Sequence, residues 1–155
     1  MKKIIMTACL FFAYNNAQAA DYGHAQTLQL LTELNPNSIS VPIDHEIIYE
    51  RCYVSIATGK DDIIVNYHTT ANRIAGSFVI SKKQKINTLL QATDDSSGYL
   101  RIDYTKVIPF GPGLTPGQPE EDTVRLSVLT AGSSVKEFRI FSTNPARFPR
   151  LECYF

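Results

Sequence analysis

The stretch VKEFRIFSTNPARFPRLECYF, residues 135–155, decides how the chain closes. It contains two β-prone segments, residues 136–141 and 151–155, separated by an insertion with two prolines. Cys153 lies almost at the carboxyl terminus, and a cysteine there can brace the fold only if the end of the chain is itself a packed strand. We therefore predict that the chain finishes in two strands. One of them is expected at a sheet edge, and the sequence leaves open which.

The amino-terminal segment predicts the compartment. It combines two lysines, an apolar run over residues 4–14 and the Ala-Gln-Ala pattern at residues 17–19, which is typical of a site cut by signal peptidase. The apolar run is too short to cross a bilayer as a helix. We expect residues 1–19 to be removed as a signal peptide and the protein to be exported through the periplasm.

The remaining residues, 20–155, have the length of a single domain with a core of its own. Without the two lysines of the signal, thirteen basic residues face fifteen acidic ones, which gives a formal charge near −2. This balance lacks the clustered basic surface that nucleic-acid binding requires. We predict no nucleic-acid partner.

Two cysteines remain after the signal is removed, Cys52 and Cys153. In an oxidising compartment such a pair is expected to form a disulfide. The alternative is two separate buried thiols.

Short alternations of apolar and polar residues, separated by turn signals, recur along the chain and predict an all-β sandwich or barrel. Pro42 cannot donate to a ladder, so the alternation over residues 39–43 is expected at an edge. Residues 27–34 and 82–92 fit either a helix or a strand. The clearest strands cover residues 47–58, 63–68, 74–81, 99–107 and 124–128.

The sequence has no pattern typical of a catalytic or metal site. The three histidines are scattered without metal-ligand spacing, and the acidic runs at residues 61–62, 94–95 and 120–122 fall in predicted turns. A Gly-x-Ser-x-Gly elbow and a glycine-rich phosphate loop are both missing. We predict that the protein is not an enzyme and uses no metal or cofactor.

Two features of the sequence could form a binding site. Tyrosines on predicted strands could stack against a ligand, although core and rim packing is the commoner role of such residues. Residues 110–122 (FGPGLTPGQPEED) contain three glycines and three prolines and are expected to form an exposed loop. The candidate binding residues of this loop are Gly111, Pro112, Gly113, Leu114, Pro116 and Gly117.

Four short strings occur in a fixed order along the chain. They are Leu28-Gln29-Leu30, Val79-Ile80-Ser81-Lys82, Pro116-Gly117-Gln118-Pro119-Glu120-Glu121 and Glu137-Phe138-Arg139-Ile140. One cysteine follows the first string, and a second stands near the carboxyl terminus. In order and spacing, this pattern resembles the AfaD-type invasins, minor tip subunits of chaperone–usher fimbriae. The resemblance covers most of the chain after the signal.

The resemblance implies an immunoglobulin-like sandwich that lacks its final strand. A periplasmic chaperone lends the missing strand, and a neighbouring pilus subunit later replaces it by donor-strand addition. The edge would be lined by Leu151, Cys153 and Phe155, or by Phe138 and Ile140 just upstream.

The resemblance also implies a function and a set of partners. The protein would be a minor or tip subunit of a fimbrium at the cell surface, with an adhesin or invasin role in virulence. Its partners would be the chaperone, an outer-membrane usher, other pilus subunits and a receptor on the host cell.

Two other readings remain open. One is an oligonucleotide/oligosaccharide-binding barrel, as in receptor-binding toxin subunits, in which residues 82–92 form a helix. The other is a periplasmic inhibitor or immunity protein that plugs an enzyme with the loop at residues 111–119.

Overall fold

A computed structural model of the chain describes residues 21–34, 38–39 (backbone only), 51–70, 74–95, 97–109, 121–144 and 150–155. The predicted signal peptide and the candidate binding loop at residues 111–117 lie outside these residues. No helix in the described ranges is long and apolar enough to cross a membrane.

One helix and ten strands follow each other along the described chain. They are β1 (Asp21–Tyr22), α1 (His24–Glu33), β2 (Ser38–Ile39), β3 (Cys52–Thr58), β4 (Asp62–Thr69), β5 (Ala75–Ser81), β6 (Thr88–Asp94), β7 (Leu100–Pro109), β8 (Glu121–Ala131), β9 (Ser134–Ser142) and β10 (Leu151–Tyr154).

The strands form two antiparallel sheets. The large sheet has the order β1-β6-β7-β8-β9-β10, and the small sheet has the order β2-β3-β4-β5. Aromatic side chains join the two inner faces: the ring centroids of Tyr67 and Phe138 lie 5.8 Å apart, and those of Phe78 and Tyr104 lie 6.2 Å apart. The predicted all-β sandwich is confirmed.

Buried side chains recur at every second position along the strands, and these side chains form the core. On β8, Val124, Leu126 and Val128 are buried, and on β4, Ile63 and Val65 have no exposed surface. Successive side chains of a strand point to opposite faces, so each of these strands gives one row to the core. The inner faces of both sheets supply these rows, and residues from the helix complete the core.

The segment that fitted either helix or strand near the amino terminus is helical. The helix begins after Gly23, whose N–H donates to the side-chain oxygen of Gln26 at 3.2 Å. Thr27 and Leu31 are buried, and the helix packs against β6 and β3. The segment forms a helix and not a strand because helical spacing puts these two residues on the face that packs against the sheets.

The second ambiguous segment, residues 82–92, contains no helix. Residues 82–87 form a connection in which Ile86 is fully exposed, and β6 follows. Leu90 and Ala92 are buried at period two, which is the pattern of a strand. The helix on which the oligonucleotide/oligosaccharide-binding barrel depended is therefore missing from its predicted place.

Three predicted strand or turn boundaries shift. The strand predicted over residues 47–58 begins at Cys52 within the described chain. Asp62 opens β4 instead of standing in a turn. Asp122 also lies on a strand, β8, and is completely buried.

The end of the chain forms two strands, as predicted. β9 pairs with β8 on one side and with β10 on the other, so it lies inside the large sheet. Phe138 and Ile140 belong to β9 and are buried. This placement corrects the alternative that put these two residues at a sheet edge.

The predicted disulfide is confirmed. It joins Cys52 at the start of β3 to Cys153 on β10, with a Cα–Cα distance of 5.9 Å. Both cysteines are buried, and they are 101 residues apart in sequence. The bond therefore links the two sheets near the end of the chain.

We expect the double variant Cys52→Ala/Cys153→Ala to lose about 2–5 kcal/mol of unfolding free energy, because the cross-link restricts a long loop in the unfolded chain. Urea unfolding followed by circular dichroism measures this loss. Dithiothreitol should destabilise the wild type and leave the double variant unchanged. Equal sensitivity of both proteins to the reductant would contradict a stabilising disulfide.

Candidate functional site

The last strand, β10, is an edge of the large sheet. It pairs with β9 through the register Leu151↔Ile140 and Cys153↔Phe138. No other strand in the described residues pairs with its second side. Leu151 and Cys153 face the core and are buried, while Phe155 packs partly against it.

The backbone of β10 alternates between its paired and its free side. The N–H of Phe155 donates to the carbonyl oxygen of Lys136 at 2.9 Å, so this residue bonds toward β9. In an antiparallel ladder the hydrogen-bonding direction alternates from one residue to the next. The backbone groups of Glu152 and Tyr154 therefore point toward the free side.

On the outer face, side chains fasten β10 to β9. Arg139 of β9 donates to the Tyr154 hydroxyl at 3.0 Å, and its guanidinium lies 5.5 Å from the centre of that ring. The Tyr154 hydroxyl donates to the Glu152 carboxylate at 3.2 Å, and Arg150 forms an ion pair with the same carboxylate. Although partial burial opposes ionisation, the hydrogen bonds from Arg150 and Tyr154 hold the pKa of Glu152 below its usual value.

The same network continues across the sheet. Glu137 is 7% exposed and accepts hydrogen bonds from Arg139 at 2.8 Å and from Arg101 at 3.4 Å. Asp103, 6% exposed, holds Arg125 through two hydrogen bonds of 2.6 and 3.2 Å. A buried carboxylate is costly unless it is paired, and both of these are paired. The outer face is thus a set of paired charges that extends from β7 to β10.

A cleft of about 210 Å³ opens between the sheets beside β5. Within the described chain, β5 is an edge of the small sheet, as β10 is of the large one. The lining residues come from five strands: Tyr67, Gly76, Ser77, Phe78, Val79, Tyr104, Lys106, Ile108, Val124 and Ile140.

The wall of the cleft depends on a glycine. Gly76 pairs with Tyr67 across β4 and β5, and a Cβ atom at Gly76 would lie 2.5 Å from the Tyr67 hydroxyl. Glycine therefore lets the tyrosine ring lie over β5 between Phe78 and Phe138, whose ring centroids are 5.9 and 5.8 Å away.

The polar groups of the cleft are few. Burial raises the pKa of the Tyr67 and Tyr104 hydroxyls, which favours their neutral forms. The Tyr104 hydroxyl donates weakly to the carbonyl oxygen of Val79 at 3.5 Å, and the Tyr67 hydroxyl makes no hydrogen bond to a described residue. Lys106 supplies the charge, and it is exposed.

The structure brings few of the other candidate residues together. Tyr53 and His68 stack at 4.8 Å between ring centroids on neighbouring strands of the small sheet. Tyr99 is exposed beyond the 95–98 turn. Among the described residues, no group of histidine, cysteine, aspartate and glutamate could hold a metal ion.

The cleft is not among the sites predicted from the sequence, although two residues indicate it. Lys106 stands at a position that continues the inward alternation of Ile102 and Tyr104 on β7. A lysine in such a row marks a place where the core opens to solvent. The glycine at position 76 interrupts a strand and marks a close approach of side chain to backbone.

Comparisons with known proteins give no family. No family model, characterised protein or solved structure matches this chain. The edge strand β10 and the cleft beside β5 are therefore the features of the structure that bear on function.

We expect Gly76→Ala to cost about 1–3 kcal/mol of unfolding free energy, because the added methyl group overlaps the Tyr67 ring. In a Tyr67→Leu background the same change should cost less than about 1 kcal/mol, since the overlapping ring is gone. Urea unfolding of the four proteins in this double-mutant cycle measures the coupling. An equal cost in both backgrounds would contradict the contact.

Proposed function

We propose that the protein is an exported subunit of a surface fibre and that it accepts a strand from a partner protein along β10. The observation that supports this most is the free side of β10. Glu152 and Tyr154 direct their backbone N–H and C=O groups toward that side, and no described strand pairs with them there.

A sheet edge with an unpaired side needs a partner. Unpaired N–H and C=O groups in a row form a template for another chain, and proteins normally protect such edges. Strand addition satisfies these groups through main-chain hydrogen bonds and gains specificity from alternate side chains. The buried Leu151 and the half-buried Phe155 form the inward row beside which such side chains would pack.

The edge is also held in place before a partner arrives. The ladder to β9 fixes one side, the Cys52–Cys153 disulfide fixes the inner face, and the hydrogen bonds of Tyr154 fix the outer face. A preformed edge lowers the ordering cost that the partner must offset on binding. This arrangement favours β10 over a loosely attached terminal segment as an acceptor.

The finer proposal follows the resemblance to the AfaD-type invasins. The strand donors are a periplasmic chaperone and then a neighbouring pilus subunit, with an outer-membrane usher directing the exchange. The assembled subunit serves as an adhesin or invasin toward a host-cell receptor at the cell surface. It has no enzymatic role in this proposal.

We expect the protein, expressed in a bacterial periplasm without a chaperone, to aggregate through its free edge. A donor strand fused through a flexible linker should yield a monomer, because it pairs with β10. Size-exclusion chromatography with light scattering distinguishes the two states. A fusion whose donor sequence is interrupted by prolines is the matched control, and a soluble, heat-stable monomer from the unmodified chain would refute the proposal.

A second test isolates the backbone of β10. Tyr154→Pro removes an N–H that points to the free side and leaves the bond from Phe155 to Lys136 in place. We expect it to weaken binding of a donor-strand peptide about 5–10-fold, the value of one hydrogen bond. Tyr154→Val removes the same side chain and keeps the N–H, so it is the control.

Binding is measured by fluorescence anisotropy of the labelled peptide, and circular dichroism checks that both variants fold. If Tyr154→Val and Tyr154→Pro weakened binding equally, the side chain and not the backbone edge would be responsible.

A further inference from the structure

We propose that the cleft beside β5 binds a small aromatic carboxylate. The inference is independent of strand addition at β10, because none of the residues that line the cleft belongs to that strand.

The size of the cleft sets the size of the ligand. Its volume of about 210 Å³ exceeds that of an engineered apolar cavity of about 150 Å³ that takes up benzene. The cleft therefore accommodates one aromatic ring and a short acyl chain.

The side chains that line the cleft favour a flat, apolar ligand. Ile108, Val124 and Ile140 contribute aliphatic surface from the large sheet. The rings of Phe78 and Tyr104 meet edge to face, with an interplanar angle of 86°. Aromatic rings prefer such edge-to-face and offset arrangements, so a third ring can join this pair.

Lys106 supplies the charge complementarity. It lies on the inward row of β7 opposite Val124, where the neighbouring positions of that row are apolar. It has no ion-pair partner among the described residues, and Asp122, the buried acid at the next inward position of β8, does not line the cleft. A carboxylate beside the ammonium group gains a charge-assisted hydrogen bond.

Tyr67 supplies a second donor. Its hydroxyl lines the cleft and has no hydrogen-bond partner among the described residues. A tyrosine hydroxyl is neutral near pH 7, and burial raises the pKa of this one further. A neutral hydroxyl donates to a carboxylate oxygen without adding charge. The ammonium and the hydroxyl are thus the two polar anchors of an otherwise apolar site.

The test uses the full chain fused to a donor strand and purified from a bacterial periplasm as a monomer, because the fused strand pairs with β10 and no residue of β10 lines the cleft. If the unmodified chain is itself a soluble monomer, the same titrations use it directly. Isothermal titration calorimetry with 3-phenylpropionate is compared with 3-phenylpropanamide, which lacks the charge, and with propionate, which lacks the ring. We expect binding of the aromatic acid, an affinity about tenfold lower for the amide, and no measurable binding of propionate.

Variants locate the site. Lys106→Gln should lower the affinity for 3-phenylpropionate about tenfold and abolish the preference for the acid over the amide. Lys83→Gln removes an exposed lysine that does not line the cleft and should leave the affinity unchanged. Tyr67→Phe should lower the affinity by a smaller factor, about threefold.

Side-chain NMR signals of the wild type give a readout that needs no variant. We expect the ligand to shift the signals of Phe78, Tyr104 and Ile140 and not those of the outer face. No heat and no shift with the aromatic acid would overturn the proposal. An affinity for 3-phenylpropionate that is the same in Lys106→Gln as in the wild type would also overturn it. NMR shifts confined to residues outside the cleft would have the same meaning.

Discussion

The disulfide between Cys52 and Cys153 is the constraint on which the rest of the sandwich depends. It joins a strand of the small sheet to the edge strand of the large one, so the two sheets are linked near the carboxyl terminus. The far side of the small sheet, at β5, has no such link and is where the cleft opens. A sandwich that is cross-linked near one side and open at another keeps its edge fixed while the cleft remains accessible.

The two faces of the large sheet are stabilised by different means. The inner face is apolar and packs against the small sheet, so its contribution is burial of nonpolar surface. The outer face pairs arginines with carboxylates, and Glu137 and Asp103 lie nearly buried beneath them. Exposed ion pairs contribute little singly, but a connected set orients its members. Here that set holds Tyr154, and with it the edge strand.

Period-two alternation was enough to predict the strands whose inner rows are apolar, such as β4 and β8. It was not enough where two periods fitted the same residues. Residues 24–33 form a helix because this places Thr27 and Leu31 against the sheets, and residues 88–94 form a strand because this buries Leu90 and Ala92. In both segments the secondary structure is decided by tertiary packing, which the local sequence does not show. The disulfide could be predicted from a count of cysteines. The cleft could not, because five strands distant in sequence line it, and only Lys106 and Gly76 signal it locally.

The position of Cys153 has a consequence for biogenesis. Because Cys153 lies on β10, the last strand of the described chain, the cross-link can form only after this strand has been synthesised and both cysteines meet an oxidant. A chain that is still reduced lacks the covalent bond that links β10 to the opposite sheet. Before oxidation, the edge strand therefore depends on its ladder to β9, on the outer-face hydrogen bonds of Tyr154 and on the core packing of Leu151.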